Sequence, residues 1–417
     1  TIKGEKVRVL IVKVLSSHGF GKVIEILEKS QARQDVDCNT YKRCGGCNLR
    51  HVKYEETLKM KQNAVQSLVN KTLKNKLQIK ETVGMENPLH YRNKAQYPIG
   101  INKKGEPVIG VFANRTHEVI PIDNCLIQNK KSEEIAKFII EFIKEKNISI
   151  YDEKKGKGLV RHIVTKVGIK TGEIMCVIVI NGHKIPNENE LVENLKTRYP
   201  EIKAIVKNIN MKNTNVILGQ ENINLYGNGY IEDILGEYKF KISPLSFYQV
   251  NPVQAEKLYN LGVSMAEITK NDVVFDLYCG IGTISLFMSK FAKKVYGIEI
   301  VEEAVKMAKE NAQNNNVSNT EFFAGDVEIV LDDLINNKGL KADVVMFDPP
   351  RKGLDKKSID NILNIRPKKI VYISCNPATL IRDLADFENE YDIKTIIPVD
   401  MFPFTSHVEC VATLQLK

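Results

Sequence analysis

Val273-Val-Phe-Asp276-Leu-Tyr278-Cys-Gly280-Ile-Gly282-Thr283 decides the fold of this chain. A short apolar run ends in a loop with two glycines, and a helical pattern over 282–291 follows at once. Glycine lets such a turn tighten and lets a ligand approach backbone N–H groups with no Cβ in the way. Downstream the alternation continues, with strands expected over 295–300, 321–323, 344–347 and 370–374 and helices over 302–314, 327–334 and 356–363 between them. Strands separated by helices predict a doubly wound parallel sheet, Rossmann-like in kind. Its first helix is predicted to open at Asn251-Pro252, with Asn as cap, Pro in the first turn and Gln254 completing a capping box.

The loop calls for a nucleoside cofactor. Glu299 ends the second predicted strand, 23 residues after Asp276, where a carboxylate can hold ribose hydroxyls. Ser285 stands where a dinucleotide fingerprint has its third glycine, and Asp276 would repel a pyrophosphate. S-adenosylmethionine carries a cationic sulfonium and no phosphate, so it suits this acidic loop better than NAD. The bland alternative is a strand-to-helix turn and nothing more. Asp326, in Gly325-Asp326, can hold an adenine amino group or cap the next helix, and the sequence weighs the two evenly.

One thiol looks built for attack. Cys375, in Ile373-Ser374-Cys375-Asn376-Pro377, lies at a strand end, after the acidic step Asp348-Pro349-Pro350-Arg351. Uracil C5 cannot attack a sulfonium methyl unaided, but a thiolate added at C6 places charge on C5. A base must then take the C5 proton. Ser406-His407-Val-Glu409-Cys410-Val-Ala-Thr reads as a strand with His407, Glu409 and Val411 on one face, and Glu409 is the candidate base. A lone Glu there reads more readily as a solvated edge-strand carboxylate.

The upstream half is a β-rich α+β region. From Tyr91 to Tyr238 short Val/Ile strands alternate with Gly, Asn and Pro turns, around helices expected over 132–145 and 187–198. A long basic helix is expected over 55–76, and two strands with a turn over 6–27, too short to bury a core alone. Cys38-x5-Cys44-x2-Cys47, with Cys125 farther on, offers four thiolates for zinc or a [4Fe-4S] cluster, and spacing leaves these even. Cys176, Cys279 and Cys410 read as buried packing residues.

Composition sets outer bounds. At 417 residues the chain has room for about three domains. Sixty Lys+Arg against 51 Asp+Glu give +9, a surplus that favours a polyanionic partner without establishing one. No 18-residue apolar run and no leader pattern occur, so a cytoplasmic monomer without a membrane partner is expected. Thr1 is not an initiator, so a preceding piece is expected.

These residues together carry a resemblance. Ser243-Pro-Leu-Ser-Phe247-Tyr-Gln249-Val-Asn-Pro, the Asp276–Thr283 loop, Asp348-Pro-Pro-Arg351-Lys-Gly, Ser374-Cys375-Asn-Pro and His407-Val-Glu409 resemble the ordered motifs of the S-adenosylmethionine-dependent RNA (uracil-5-)-methyltransferases, from Gln31 to the C-terminus. The resemblance implies that Cys375 is the nucleophile and Glu409 the proton acceptor, and that Gln249, Tyr278, Glu299, Asp326 and Asp348 line the cofactor site. It also implies a cluster on Cys38, Cys44, Cys47 and Cys125, as in the iron-sulfur branch. Three domains follow from it: a partial N-terminal RNA-binding β-barrel, TRAM-like, over 1–36; an iron-sulfur-bearing central domain over 37–56 and 89–243; and a methyltransferase domain over 57–88 and 244–417. Cluster-bearing members chiefly modify 23S ribosomal RNA, so that is the expected partner, with the tRNA T-loop as the alternative. Arg351 after the Asp-Pro-Pro step argues against exocyclic-amine methylation, which would place an aromatic ring there. A 5-methylcytosine enzyme would place a second cysteine there. An inactive, metal-bearing RNA-binding protein is the alternative from another class, and the intact Cys375, Glu409, Asp348 and glycine loop speak against it.

Overall fold

A computed structural model describes residues 1–102, 104–113 and 116–417. The two N-terminal strands, β1 (Lys6–Val14) and β2 (Gly19–Glu28), pair as an antiparallel ribbon that is exposed on both faces. Helix α1 (Tyr54–Thr72) follows. It stops short of the expected Lys76 because Leu73 is extended and the Glu388 carboxylate takes the amides of Lys74 and Asn75, at 3.1 and 3.0 Å.

The middle of the chain builds a seven-stranded sheet. Its elements are β3 (Lys94–Ile101), β4 (Pro107–Phe112), β5 (Val119–Pro121), α2 (Lys130–Glu145), β6 (Val160–Val167), β7 (Ile174–Ile180), α3 (Glu188–Arg198), β8 (Ile202–Ile209) and β9 (Glu221–Tyr226). The order is β5-β4-β3-β6-β7-β8-β9, antiparallel except where α3 carries the chain from β7 to a parallel β8. Residues of β6, β7 and β8 are buried on both faces, which explains runs such as Ile174-Met-Cys-Val-Ile-Val-Ile that do not alternate. The hairpin β10 (Ile231–Leu235) and β11 (Tyr238–Ile242) closes this half.

The last part opens with α4 (Pro252–Ala266). Asn251 caps it by accepting from the Gln254 amide at 3.3 Å. The expected capping box is only half made, because the Gln254 amide group donates instead to the carbonyls of Val83 and Asp400. Then come β12 (Val273–Leu277), α5 (Thr283–Ser289), β13 (Lys294–Glu299), α6 (Glu302–Asn314), β14 (Thr320–Ala324), α7 (Val327–Asp332), β15 (Val344–Phe347), α8 (Lys356–Ile365), β16 (Lys369–Ser374), α9 (Pro377–Phe387), β17 (Tyr391–Val399) and β18 (Glu409–Leu416). The sheet order is β14-β13-β12-β15-β16-β18-β17, and β18 alone runs against its neighbours. This is the doubly wound α/β sheet expected. His407 precedes β18 and so is not in the strand predicted to hold it.

Two apolar layers cover the sheet. On one, Val65 and Val69 of α1 and Leu73 join Leu380 and Leu384 of α9 and Ile359 and Ile362 of α8. On the other, α4 and α5 join residues of β6–β8 and β10–β11, so both sheets share one continuous core. The segment after α1 lies along the free side of β17, with Lys80 and Val83 donating to the carbonyls of Ile396 and Pro398. That covers an edge otherwise open to other chains.

Candidate functional site

In open α/β sheets, ligands bind outside the carboxyl ends of the strands, where strand order reverses. Here that point lies between β12 and β15. Tyr278, Asp348 and Cys375 are each at or just past the end of a parallel strand. Glu409 reaches the same rim because β18 is antiparallel, so its first residue stands level with the ends of the others. The register pairs Ser374 with Cys410, which sets Glu409 beside Cys375 one step beyond.

Each part of the loop has a physical cause. Tyr278, Gly280 and Gly282 all take left-handed backbone angles, with φ of 65°, 55° and 81°. A Cβ on Gly282 would also press on Ala308 and Phe322, both at 3.1 Å. Glu299 ties the loop to the end of β13: one oxygen accepts from the Gly280 amide at 3.1 Å, the other from Val301 at 3.0 Å. Asn311 of α6 holds the Ile281 carbonyl at 3.0 Å. Ser285, in place of a third glycine, donates to the buried Asp276 carboxyl. The second Asp276 oxygen has no partner among the described residues.

The rim is acidic, and Asp276 and Glu409 on it are buried. Burial pushes Asp276 up to about 7; the Ser285 hydroxyl opposes this, and Asp348 and Glu299 add to it. Burial likewise raises Asp348 to about 7. Glu409, 4% exposed, is raised by burial first and by Asp348 second, with Arg351 opposing. The edge-strand reading of Glu409 is thus overturned, because β17 covers β18 on its outer side. Burial also raises the half-buried Cys375 thiol; Glu409 and Asp348 raise it further, and the Arg351 guanidinium opposes them.

Cys375, Glu409 and Asp348 therefore feel one another's charge directly. Gln249 is buried, and so is Tyr259, whose hydroxyl is raised by burial first and by the charges of Asp348 and Glu409. Tyr278 senses Asp326. Asp326 caps α7, one carboxylate oxygen accepting from the Glu328 amide at 3.0 Å, so the helix-cap alternative is realised at that oxygen. Tyr259 escapes a sequence reading, since a tyrosine on the apolar face of α4 looks like packing.

The cysteine segment forms a second centre. Cys44 bridges to Ala113 at the end of β4, and the Gly46 amide donates to Cys44 Sγ at 3.3 Å. Burial raises the thiols of Cys44, Cys47 and Cys125. Cys38 adds to the rise at Cys44, the other three cysteines to that at Cys47, and Cys44 to that at Cys125. Among the described residues no group of three or more His, Cys, Asp or Glu side chains is arranged as a single-ion site. Cys44 and Cys47 each sense other cysteines of the set, and one thiol already accepts an N–H bond, so the chemistry of these donors suits a thiolate-bound metal group of either kind. Cys176, Cys279 and Cys410 are buried packing residues, as read.

A dinucleotide enzyme would cradle a pyrophosphate where this chain buries carboxyls, and the cation-seeking pocket that results belongs to the S-adenosylmethionine-dependent methyltransferases. Comparison with known proteins narrows the class. Residues 53–417 match the family profile described as tRNA (uracil-5-)-methyltransferase. The chain is 49% identical over 418 residues to an uncharacterized RNA methyltransferase of Clostridium acetobutylicum, covering 99% of this chain and 90% of that one. It is 47% identical to another from Caldanaerobacter subterraneus subsp. tengcongensis, covering 99% and 91%. Among solved structures it resembles the Pyrococcus abyssi tRNA (uracil-54, C5)-methyltransferase in complex with S-adenosyl-L-homocysteine, with TM-score 0.77, 27% identity and coverage of 99% and 93%. The chain belongs to the tRNA (uracil-5-)-methyltransferase family and is an RNA (uracil-5-)-methyltransferase. Among the described residues no helix is long and apolar enough to cross a membrane.

Proposed function

We propose that this enzyme methylates C5 of a uridine in 23S ribosomal RNA through a covalent adduct on Cys375. When bound, S-adenosylmethionine supplies an electrophilic methyl group. The Cys375 thiolate adds to uracil C6, and the ring's electron pair, displaced to C5, takes that methyl as its bond to sulfur breaks and the bonding pair stays on sulfur, leaving a neutral thioether. Glu409 accepts the C5 proton, and elimination restores the C5–C6 double bond and frees the thiolate. Gln249, Tyr278, Glu299, Asp326 and Asp348 hold the cofactor. A uracil inside a helix cannot meet a thiol in a pocket, so the target is flipped or unpaired. The observation that carries this reading is the buried Glu409 carboxyl beside Cys375.

In this reading Cys38, Cys44, Cys47 and Cys125 hold a [4Fe-4S] cluster that orders the central region. The chain divides into 1–36, 37–56 with 89–243, and 57–88 with 244–417. Packing of α1 beside α8 and α9 supports the last grouping. The enzyme acts as a cytoplasmic monomer.

The tRNA T-loop is the second reading, favoured by likeness to the P. abyssi tRNA (uracil-54, C5)-methyltransferase. Mapping 5-methyluridine in both RNAs from a deletion strain separates them: a site lost from 23S RNA supports the first, and one lost only from tRNA replaces it. RNA carrying 5-fluorouridine should trap a denaturation-resistant adduct. If Cys375→Ala still forms it, the nucleophile is another residue. Anaerobically purified protein should contain iron and sulfide in cluster ratio, and one zinc without sulfide would overturn the cluster.

A further inference from the structure

A cleft of about 780 Å³ opens in the central sheet, away from the strand ends that carry the chemistry. At its floor lies His162, 4% exposed, with neither ring nitrogen partnered among the described residues. A buried polar group without a partner costs stability, and native proteins leave few of them. The same residue also lines an adjoining cavity of about 490 Å³.

The backbone around it is irregular in a useful way. Val160 pairs with Ile180 but His162 pairs with Val179, so Arg161 is an extra residue in β6. Such a bulge re-aims side chains, and here consecutive residues, Arg161 and His162, both reach the cleft. Arg161 is already engaged, donating to the carbonyls of Asn210 and Lys212 at 2.7 and 2.8 Å. Burial holds the His162 ring in its neutral form, pushed down to about 4, with one nitrogen a donor and one an acceptor.

The walls suit a flat heterocycle. Phe112 stands between two imidazoles, its centroid 5.3 Å from His117 and 6.2 Å from His162. Arg43, Lys104 and Lys154 line the cleft as well, and Glu106, Glu118, Asp152 and Glu153 offset their charge. Among the described residues this lining mixes charges of both signs, donors and acceptors beside an aromatic ring, which suits an unstacked base with its ring face and mixed donor and acceptor edge.

The cleft also lies within reach of the reaction centre. Arg43 on its wall is five residues from Asn48, which is hydrogen-bonded to Ser406, three residues before Glu409. At about 3.8 Å per Cα step, that path keeps cleft and base within about 40 Å. A single RNA strand can span this in a modest number of nucleotides.

We propose that this cleft is a second base pocket, taking an unpaired nucleobase of the substrate RNA other than the methylated uridine, beside Phe112 and hydrogen-bonded by His162. It rests on the enzyme's acting on RNA, not on which RNA that is. The full-length protein is irradiated with 23S-derived and tRNA substrates, and cross-linked peptides are sequenced. A peptide holding Phe112 or His117 should be joined to a nucleotide outside the methylated position. Phe112→Leu and His162→Gln should each raise KM for RNA about tenfold and change kcat less than twofold. Unchanged affinity for S-adenosylhomocysteine shows that each variant is folded. An unmoved KM in both folded variants, or no cross-link at this cleft, overturns the proposal. A third arm uses adenosine monophosphate: if it labels the cleft and RNA does not, the pocket serves a free nucleotide and the proposal falls. The cross-link is read on whichever RNA gains 5-methyluridine, so a wrong choice between 23S RNA and tRNA leaves this test intact.

Discussion

Asn48 and Ser406 exchange two hydrogen bonds across 358 residues of sequence, the Asn48 amide donating to Ser406 Oγ at 2.9 Å and the Ser406 amide donating back to Asn48 Oδ1 at 2.8 Å. Around them the Leu49 amide donates to the Phe404 carbonyl at 2.9 Å, and the Arg50 guanidinium lies 4.0 Å over the Phe404 ring. Arg50 is itself oriented by Asp37 through two bonds, at 2.7 and 2.6 Å. Phe404 holds φ of 61°, a strained conformation for an aromatic residue that surrounding contacts must maintain. Asn48, Leu49 and Arg50, the three residues after Cys47, thus clamp the loop that leads into Glu409.

Asn48→Ala should therefore reduce turnover without weakening cofactor binding. Two hydrogen bonds at about 1 kcal/mol each correspond to a fall in kcat of about thirtyfold, if both act on the loop in the transition state. Calorimetry with S-adenosylhomocysteine should show unchanged affinity. Stripping any bound iron should produce the same kinetic signature and faster proteolysis within 402–406. A kcat equal to wild type would mean that the clamp does not govern the loop.

Cys375→Ala and Glu409→Gln should fail at different steps. Without the thiol no adduct forms and no methyl is transferred. Without the carboxylate the methylated adduct forms but cannot lose its C5 proton, so ordinary RNA should accumulate on the protein as a denaturation-resistant band. Gel analysis with methyl-labelled cofactor checks this. If Glu409→Gln turns over at more than about a tenth of the wild-type rate, another group is the base, since general bases contribute about a hundredfold or more.

The alternating half was legible because its strands are short and apolar and helices such as α4, α7 and α8 open on side-chain caps. Cys375 and Asp348 could be placed at strand ends, since a parallel sheet brings all its carboxyl ends to one rim. Burial of Glu409 could not, because it depends on β17 crossing outside β18, and nothing in Ser406–Thr413 announces its neighbours. The elements α9 and β17 escaped for related reasons. Pro377 opens a helix beyond the strand that the reading stopped at, and Pro398 interrupts a strand that tolerates it near one end. Helix α1 showed its apolar positions, but its partners α8 and α9 lie about three hundred residues away and are set by topology, not by period.

Turnover should rise with pH and be sensitive to Arg351. Nucleophilic attack needs the thiolate, and proton removal needs the Glu409 carboxylate. Both groups are held above their ordinary values by burial and nearby acids, so the active protonation state is scarce at low pH and grows as pH rises. Arg351 lowers both groups, so Arg351→Met should move the ascending limb of single-turnover rate against pH upward, while Arg351→Lys should move it less. An unshifted limb in Arg351→Met would show that neither group sets the profile.

Cofactor binding should release protons when the ligand is cationic. Asp276, Asp348 and Glu409 are all raised in the folded chain, to about 7, about 7 and about 8. Their ordinary values are near 4, so between these limits the folded protein holds more protons than the unfolded one. Their contribution to the stability of the ligand-free protein is fully present below about pH 4 and is lost as pH rises through about 7 to 8. Melting temperature measured without cofactor should accordingly fall across that window, less steeply in Asp276→Asn. A sulfonium brought against the same carboxyls favours their ionised forms, whereas the neutral thioether of S-adenosylhomocysteine does not. Calorimetry at pH 7 in buffers of different ionisation enthalpy should show more protons released by S-adenosylmethionine than by S-adenosylhomocysteine. Equal release would place the sulfonium away from this acidic rim, and with it the methyl group away from Cys375.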